Sequence, residues 1–185
     1  MLREVSISND TISVKFYRNE KIECACNFLM DKDAQGYIDL SDFDLINCHF
    51  KGDVISKVSF LSSNLQHVTF ECKEIENCNF TKATVDNVIF KCRRLHNVIF
   101  LKTSGECVDF SQNILDTVDF SQSQLGHSIY MNASRLQGIH CFDMTGRLQL
   151  YIRLYCSRNA ASPYVIRRLT PYFHGGLQAQ NTVQV

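Results

Sequence analysis

Phenylalanine returns at every tenth position through the middle of the chain, and this spacing constrains the fold more than any other feature. Eight of the thirteen phenylalanines lie in this one register, which Tyr130 continues: Phe50, Phe60, Phe70, Phe80, Phe90, Phe100, Phe110 and Phe120. Midway between them stand further centres, which are Leu45, Ile55, Leu65, Ile75, Val85, Leu95, Gly105, Leu115 and Leu125. The underlying period is therefore five residues, with an apolar residue at almost every centre.

A period of five fits neither a helix nor a single strand. A helix would scatter the centres around its axis, and a strand would alternate them between its two faces. A chain that turns a corner every five residues instead directs each centre inward. Small residues two positions before the aromatic centres let the walls of such a coil approach each other: Cys48, Val58, Val68, Cys78, Val88, Val98, Val108, Val118 and Ser128.

From Leu40 to Tyr130 the sequence resembles the pentapeptide-repeat family. The resemblance implies an all-β fold, a right-handed quadrilateral β-helix in which four repeats form one coil of about twenty residues. Residues twenty apart would then stack at roughly the strand spacing of ~4.8 Å, which places Tyr130 in the column of Phe110. Each buried centre would contribute about 1.5–3 kcal/mol. Gly105 leaves a gap in its column, so we expect a local void or tightening there and a stabilising effect of Gly105→Leu.

The repeat divides the chain into three parts. Residues 1–39 are predicted to form an N-terminal β-hairpin cap, with alternating apolar residues from Glu4 to Phe16 around an Asn9-Asp10 turn. An irregular first coil would follow from Ile22 to Phe28. Residues 40–130 are predicted to form the β-helix, and residues 131–185 an irregular C-terminal tail. If that tail leaves the last coil open, Phe120 and Tyr130 favour self-association through this end.

Charge separates the tail from the repeats. Residues 40–130 contain eight basic and eleven acidic residues, whereas residues 131–185 contain six arginines, no lysine and one acid, Asp143. Leu136 lies one residue out of register and the phenylalanine series stops. Two interpretations remain: a true C-terminal cap, or foreign sequence joined where a longer array was cut. We favour the second and expect poor order there.

One column departs from the pattern of small residues before the centres. Asp53, Lys73, Arg93 and Asn113 stand two residues before Ile55, Ile75, Leu95 and Leu115. Because buried charges are costly, we expect all four side chains to point outward. A solvated polar edge is the simplest interpretation, and a partner-facing ridge is the functional one.

No motif points to catalysis. The sequence has no GxSxG, no HExxH and no glycine-rich phosphate loop, so we expect no catalytic residue, no cofactor, no small-molecule substrate and no metal site. No apolar run is long enough to span a bilayer. The nine cysteines follow the repeat, so we expect reduced thiols. Cys72 and Cys92 should stack, which makes a disulfide or shared metal geometrically feasible, although free thiols are the simpler expectation.

A second resemblance suggests a function. Residues 36–127, which include DLSDFDLINCHF and GECVDFSQNILDTVDFSQSQLGH, look like the β-helix domain of NleL-type HECT-like E3 ubiquitin-ligase effectors of enteric bacteria. In that family the β-helix precedes the ligase and is thought to bind substrate, and no cysteine here matches the catalytic position. The resemblance predicts a truncated or remnant type III effector, made in the bacterial cytoplasm and secreted into the host cell, that is not an enzyme and binds host protein. The alternatives are a decayed gene product without function and a stand-alone DNA mimic that inhibits gyrase, without binding nucleic acid.

Overall fold

The computed structural model describes residues 2–8, 11–18, 21–29, 32, 35–126, 129–130, 135–144 and 148–149. Within these ranges the chain is all-β and contains no helix. Its sixteen strands are β1 (Leu2–Ser8), β2 (Thr11–Arg18), β3 (Lys21–Leu29), β4 (Ile38–Asp39), β5 (Cys48–Lys51), β6 (Val54–Ser56), β7 (Val58–Ser59), β8 (Thr69–Glu76), β9 (Ile89–Ile99), β10 (Ser104–Gly105), β11 (Val108–Asp109), β12 (Ile114–Asp119), β13 (Gln124–Leu125), β14 (Ile129–Tyr130), β15 (Arg135–His140) and β16 (Leu148–Gln149).

Parallel pairing between successive coils builds a β-solenoid of about five turns. Strands β5, β8 and β9 lie side by side in one sheet, and β9 also pairs with β11 and β12. His49 lies opposite Thr69, and Thr69 lies opposite Ile89, so the coils are offset by twenty residues along this stretch. The predicted all-β solenoid is confirmed, and its stacked coils are consistent with a β-helix of the pentapeptide-repeat type.

Two columns of phenylalanine rings fill the interior. Neighbouring rings within a column are stacked, with centroids 4.7 to 5.1 Å apart and interplanar angles of 3° to 14°. The columns meet edge to face, at 5.5 to 5.9 Å and 79° to 88°. Both geometries suit the aromatic quadrupole and add about 0.5–1.5 kcal/mol per pair to the burial. One column contains Phe50, Phe70, Phe90 and Phe110, and the other Phe60, Phe80, Phe100 and Phe120, all of them buried.

Most corners of the coil are tight turns with a left-handed residue. At one of them Ser63 N donates to Phe60 O at 3.1 Å, and Ser62 between them has φ of 58°. A positive φ at the third residue is typical of a type II turn. It recurs two residues after most centres, at Asp42, Asn47, Lys57, Ser62, His67, Asn77, Lys82, Asn87, Asn97, Lys102, Cys107, Gln112, Thr117 and Gln122.

Polar residues just after these corners point inward and are satisfied by backbone. Ser63 Oγ donates to Leu40 O at 2.6 Å, and Thr103 Oγ1 donates to Phe80 O at 2.8 Å. In both cases the accepting carbonyl lies 23 residues earlier, on the preceding coil. A buried hydroxyl is tolerated when it is hydrogen-bonded, so the interior accepts small neutral polar groups at this repeat position.

The N-terminal strands form an antiparallel meander beside the first coil. β1 and β2 pair as the predicted hairpin, and β3 adds antiparallel to β2 with a bulge at Phe16/Tyr17. The expectation of an irregular coil from Ile22 to Phe28 is therefore wrong, because these residues form a third antiparallel strand. β1 also pairs in parallel with β5, which places the buried Val5 opposite Phe50.

The coil lengthens by one residue near its C-terminal end. Leu125 still lies opposite Gly105, twenty residues earlier, but Ile129 lies opposite Val108 and Tyr130 opposite Asp109, each twenty-one residues earlier. The predicted alignment of Tyr130 with the Phe110 column is therefore wrong. An extra residue between 125 and 129 shifts β14 and β15 by one position, and the nineteen-residue offset between β14 and β16 restores the register.

Pairing continues beyond residue 130, where the sequence repeat was expected to end. β15 lies in parallel on β12 with Leu136 opposite Leu115, so the one-residue shift of Leu136 marks a longer coil. Phe120 N donates to His140 O at 2.7 Å and the Phe120 side chain is fully buried. The predicted self-association relied on an exposed Phe120, and that premise is wrong because the side chain is buried. β16 pairs with β14. Residues 131–134, 145–147 and 150–185 of the predicted tail lie outside the described residues.

Gly105 marks a tight approach between two coils. A Cβ atom built on it would lie 2.7 Å from both the carbonyl carbon and oxygen of Val85 and 2.9 Å from Val85 Cγ2. The column tightens here because glycine has no Cβ, so there is no void for a larger side chain to fill. The expectation that Gly105→Leu stabilises the fold is therefore wrong, since the added Cβ atom would collide with the Val85 backbone.

Candidate interaction surface

One edge of the solenoid lacks the left-handed corner that the others have. We call the segments 50–55, 70–75 and 90–95 the straightened edge. Gly52, Cys72 and Cys92 stand at its corner positions, yet none of them has a positive φ. β8 and β9 run through the corner, so Cys72 and Cys92 take the inward direction after Phe70 and Phe90.

The straightened edge turns charged side chains into solvent. Asp53, Lys73 and Arg93 are all exposed, as the sequence led us to expect. The physical reason is the cost of burial, since an unpaired ammonium or guanidinium group in an apolar interior is strongly unfavourable. A thiol is small and nearly apolar, so the residue before each charge can be buried in its place. Cys72 is partly buried and Cys92 is buried.

Asn113 breaks this arrangement, and the expectation of an outward side chain there is wrong. It is fully buried. Gln112 has φ of 68° and Asn113 N donates to Phe110 O at 3.3 Å, so this coil has a normal corner. Asn113 Nδ2 donates to Phe90 O at 3.0 Å, again 23 residues earlier, and also to Cys92 O. The amide nitrogen finds acceptors inside, whereas Asn113 Oδ1 is buried without a hydrogen-bond partner among the described residues. Burying one neutral carbonyl oxygen costs far less than burying the charges of the preceding coils.

Ion pairs connect neighbouring coils along the outward edge. Lys73 Nζ lies 2.9 Å from Asp53 Oδ1, with both side chains largely exposed. The Arg93 side chain is exposed and forms no ion pair with another side chain in the described part of the chain. An exposed pair of this kind adds little to stability, so the groups remain available to a binding partner.

A second charged cluster lies beside these residues, and sequence reasoning missed it. Arg94 contacts Glu74 Oε1 at 3.2 Å on one side and the carboxylate of Asp116 on the other. The hydrogen bond from Arg94 lowers the pKa of Asp116 below its usual value. His96 Nδ1 lies 3.2 Å from Asp116 Oδ2. The signal was available, because Glu74 lies twenty residues before Arg94 and Asp116 lies twenty-two residues after it.

Together these residues form a mixed-charge surface, which we call the charged face: Asp53, Lys73, Glu74, Arg93, Arg94, His96 and Asp116. Both signs occur side by side on neighbouring coils, along a parallel backbone ladder. Complementary charge patterns of this kind favour specificity and fast association more than raw affinity. The arrangement therefore suits recognition of another protein with an opposed charge pattern.

Cys72 and Cys92 stack as the twenty-residue spacing predicts. They lie opposite each other in the parallel ladder, with their Sγ atoms 3.0 Å apart. Both are free thiols. Across the residues that the structure describes, no group of three or more histidine, cysteine or acidic side chains is arranged to hold a metal ion. Cys24 and Cys26 form a CxC pair in the sequence, a weak metal signal on its own, and their side chains lie outside the described part.

No family model matches this chain. In the described ranges, no helix has the length and apolar character needed to cross a bilayer.

Proposed function

We propose that this chain is a non-catalytic scaffold that binds a host protein through the charged face. The observation that carries the proposal is the straightened edge, which departs from the regular coil and sets Lys73 and Arg93 outward on adjacent coils. The resemblance of residues 36–127 to the β-helix of NleL-type ligase effectors supports a substrate-binding role. The face would then select the substrate of a ligase, and the chain itself would carry no ubiquitin-transfer chemistry.

The proposal includes the finer form of the fold. A right-handed, four-sided coil of the pentapeptide-repeat family accounts for left-handed corners at five-residue intervals and for a twenty-residue offset. The hairpin of β1 and β2 would cap its first coil, and the pairing of β1 with β5 supports that role. A cap prevents edge-to-edge association at the end of a solenoid.

Charge distinguishes this scaffold from a DNA mimic. A mimic needs a strongly acidic rod, whereas residues 90–95 alone carry Lys91, Arg93 and Arg94. We therefore expect no inhibition of gyrase in a DNA supercoiling assay at submicromolar concentration. Inhibition there would replace the scaffold proposal with topoisomerase binding.

A photocrosslinking experiment tests the scaffold proposal. A photoreactive amino acid at Lys91, which is exposed beside the charged face, would be irradiated in host-cell extract and the crosslinked protein identified by mass spectrometry. The partner would then be purified and its affinity measured by calorimetry. We expect the double variant Lys73→Glu/Arg93→Glu to weaken binding at least tenfold.

The matched control is the double variant Lys82→Glu/Lys102→Glu. These lysines are also exposed and also twenty residues apart, but they lie at corners outside the charged face. The control therefore makes the same change in net charge at a different edge of the coil. Equal loss of affinity in the two double variants would show a non-specific charge effect and would refute the proposed face.

Delivery is a separate part of the proposal. We propose synthesis in the bacterial cytoplasm followed by transfer into the host cell, on the strength of the effector resemblance alone. A reporter fused to the C-terminus of the chain would be detected inside host cells when the secretion system is intact. An equal signal from a secretion-deficient strain would contradict this part and leave the binding proposal intact.

A further inference from the structure

The two stacked thiols form a pair unlike any other in the described residues. Cys72 Sγ and Cys92 Sγ are 3.0 Å apart, which is closer than two non-bonded sulfurs normally pack. Coils spaced at about 4.8 Å satisfy the Cα separation of ~4.4–6.8 Å that a disulfide requires. Closing the bond to about 2.05 Å needs the two sulfurs to move by roughly 1 Å in total.

The pair exists because of the straightened edge. With a regular corner, the residue at this repeat position takes a left-handed conformation, as Gln112 does twenty residues after Cys92 with φ of 68°. At Cys72 and Cys92 the extended backbone directs both thiols to the same side of the ladder. Cys72 is half-buried and Cys92 is buried. A reagent in solution can therefore reach the Cys72 thiol, whereas the Cys92 thiol is shielded.

We propose that Cys72 and Cys92 are an oxidisable pair that closes to an inter-coil disulfide by exchange with a small-molecule disulfide such as oxidised glutathione. The thiolate of Cys72 attacks one glutathione sulfur and expels the other as a thiolate, which takes up the proton that Cys72 lost. Cys92 then loses its proton and attacks Cys72 Sγ, expelling the second glutathione. The two protein thiols are oxidised by two electrons, and one glutathione disulfide is reduced to two thiols.

The electrostatics support this order of events. The hydrogen bond with Cys72, together with burial, raises the pKa of Cys92. Cys92 is therefore poorly suited to the first attack, and its ionisation follows once Cys72 is a mixed disulfide and no longer a neighbouring thiol. The bond would fasten two adjacent coils directly beneath Lys73 and Arg93. This inference is independent of the proposed binding function.

Peptide mapping of the full chain tests the pair directly. The protein would be equilibrated with oxidised and reduced glutathione, alkylated with iodoacetamide and digested with trypsin without reductant. Cleavage after Lys57, Lys73, Lys82 and Lys91 puts the neighbouring thiols Cys72, Cys78 and Cys92 in separate peptides. We expect peptide 58–73 linked to a peptide that begins at residue 92, with a loss of about 2 Da.

Thermal denaturation provides the second readout. Closing a loop of this length should raise the melting temperature of the oxidised protein by roughly 5–10 °C. Cys72→Ser should abolish the shift, and Cys107→Ser, which removes an exposed thiol fifteen residues after Cys92, should preserve it. A link that involves Cys78, a stable glutathione adduct on Cys72 without closure, or a shift that survives Cys72→Ser would each overturn the inference.

Discussion

Side chains at one repeat position point outward in one region of the solenoid and inward in another. Along the straightened edge the coil runs extended past Phe70 and Phe90 and sets Lys73 and Arg93 outward. One coil later Gln112 turns left-handed, and Asn113 is buried against the backbone of the preceding coil. The difference teaches that the charged residues at this position follow an extended corner and the neutral amide follows a left-handed one, which agrees with the cost of burying an unpaired charge. The corner in turn decides whether the residue belongs to the core or to the surface.

The largest expected effect comes from placing a charge on the turned side. Asn113→Asp keeps the shape but loses the donor to Phe90 O and Cys92 O, and it sets a carboxylate against two carbonyl oxygens. We expect a loss of at least about 3 kcal/mol of unfolding free energy at neutral pH, measured by urea denaturation.

The pH dependence of this variant gives a second check. Burial would raise the folded-state pKa of the new carboxyl above its unfolded value, so its penalty relative to the original protein should shrink as the pH falls toward 4 and grow as the pH rises. Asn113→Ser is the control, because Ser63 is accommodated at the equivalent position. If the Asp and Ser variants were equally stable at neutral pH, Asn113 would not be buried as described.

Gly105 tests how closely two neighbouring coils approach each other, since it lies against Val85 of the preceding coil. Because a Cβ atom would meet the Val85 backbone at 2.7 Å, we expect Gly105→Leu to lower stability by about 1–3 kcal/mol through overpacking. Gly52 provides the control, since a Cβ atom there would meet nothing within 4 Å. A Gly105→Leu variant with a raised melting temperature would show that the coils can separate at no cost.

Thr117 tests the cost of the corner itself. It has φ of 57°, a conformation that a β-branched residue rarely adopts and that asparagine tolerates better. We expect Thr117→Asn to raise the free energy of unfolding by about 1 kcal/mol. The equivalent corner one coil earlier already has asparagine, since Asn97 adopts φ of 51°. A destabilised Thr117→Asn variant would argue that the threonine side chain compensates for its backbone.

The smallest expected effect concerns the ion pair that joins the two regions. Arg94 on the straightened edge reaches Asp116 on the turned coil and lowers the pKa of that carboxyl. This contribution is present above the unfolded pKa of Asp116 and is lost as the pH falls through the lower folded value. We expect Asp116→Asn to cause a small loss of stability at pH 7 that disappears in high salt. Persistence of the loss in 1 M salt would point to packing rather than charge.

The fold was largely predictable because its period is written into the core residues. Ten-residue spacing of phenylalanine leads directly to stacked columns such as Phe70, Phe90 and Phe110. The added residue before Ile129 was harder to see, because a period alone does not show where a coil lengthens. Leu136 carried that information, but its shift resembled the end of the repeat.

The orientation of single side chains was less accessible. Lys73, Arg93 and Asn113 occupy one column and were predicted to point the same way. Only Asn113 is neutral, so it alone can be buried with its Nδ2 donating to backbone carbonyls and no charge left unpaired. Arg94 was not predicted, because it lies one position after the residues that depart from the small-residue pattern. Its partners on the coils before and after it become visible only when residues twenty and twenty-two apart are compared.

Alkylation rates at one repeat position in two coils test the central claim most directly. Asp53→Cys and Asn113→Cys place a thiol at the outward and the inward site, and quantitative mass spectrometry of each peptide separates their reaction with iodoacetamide from that of native cysteines. Asp53 is exposed and Asn113 is fully buried, so we predict rapid modification of the first and protection of the second in the folded protein. Equal rates at the two sites would contradict the account, because the corner would then not decide which side chains reach the surface.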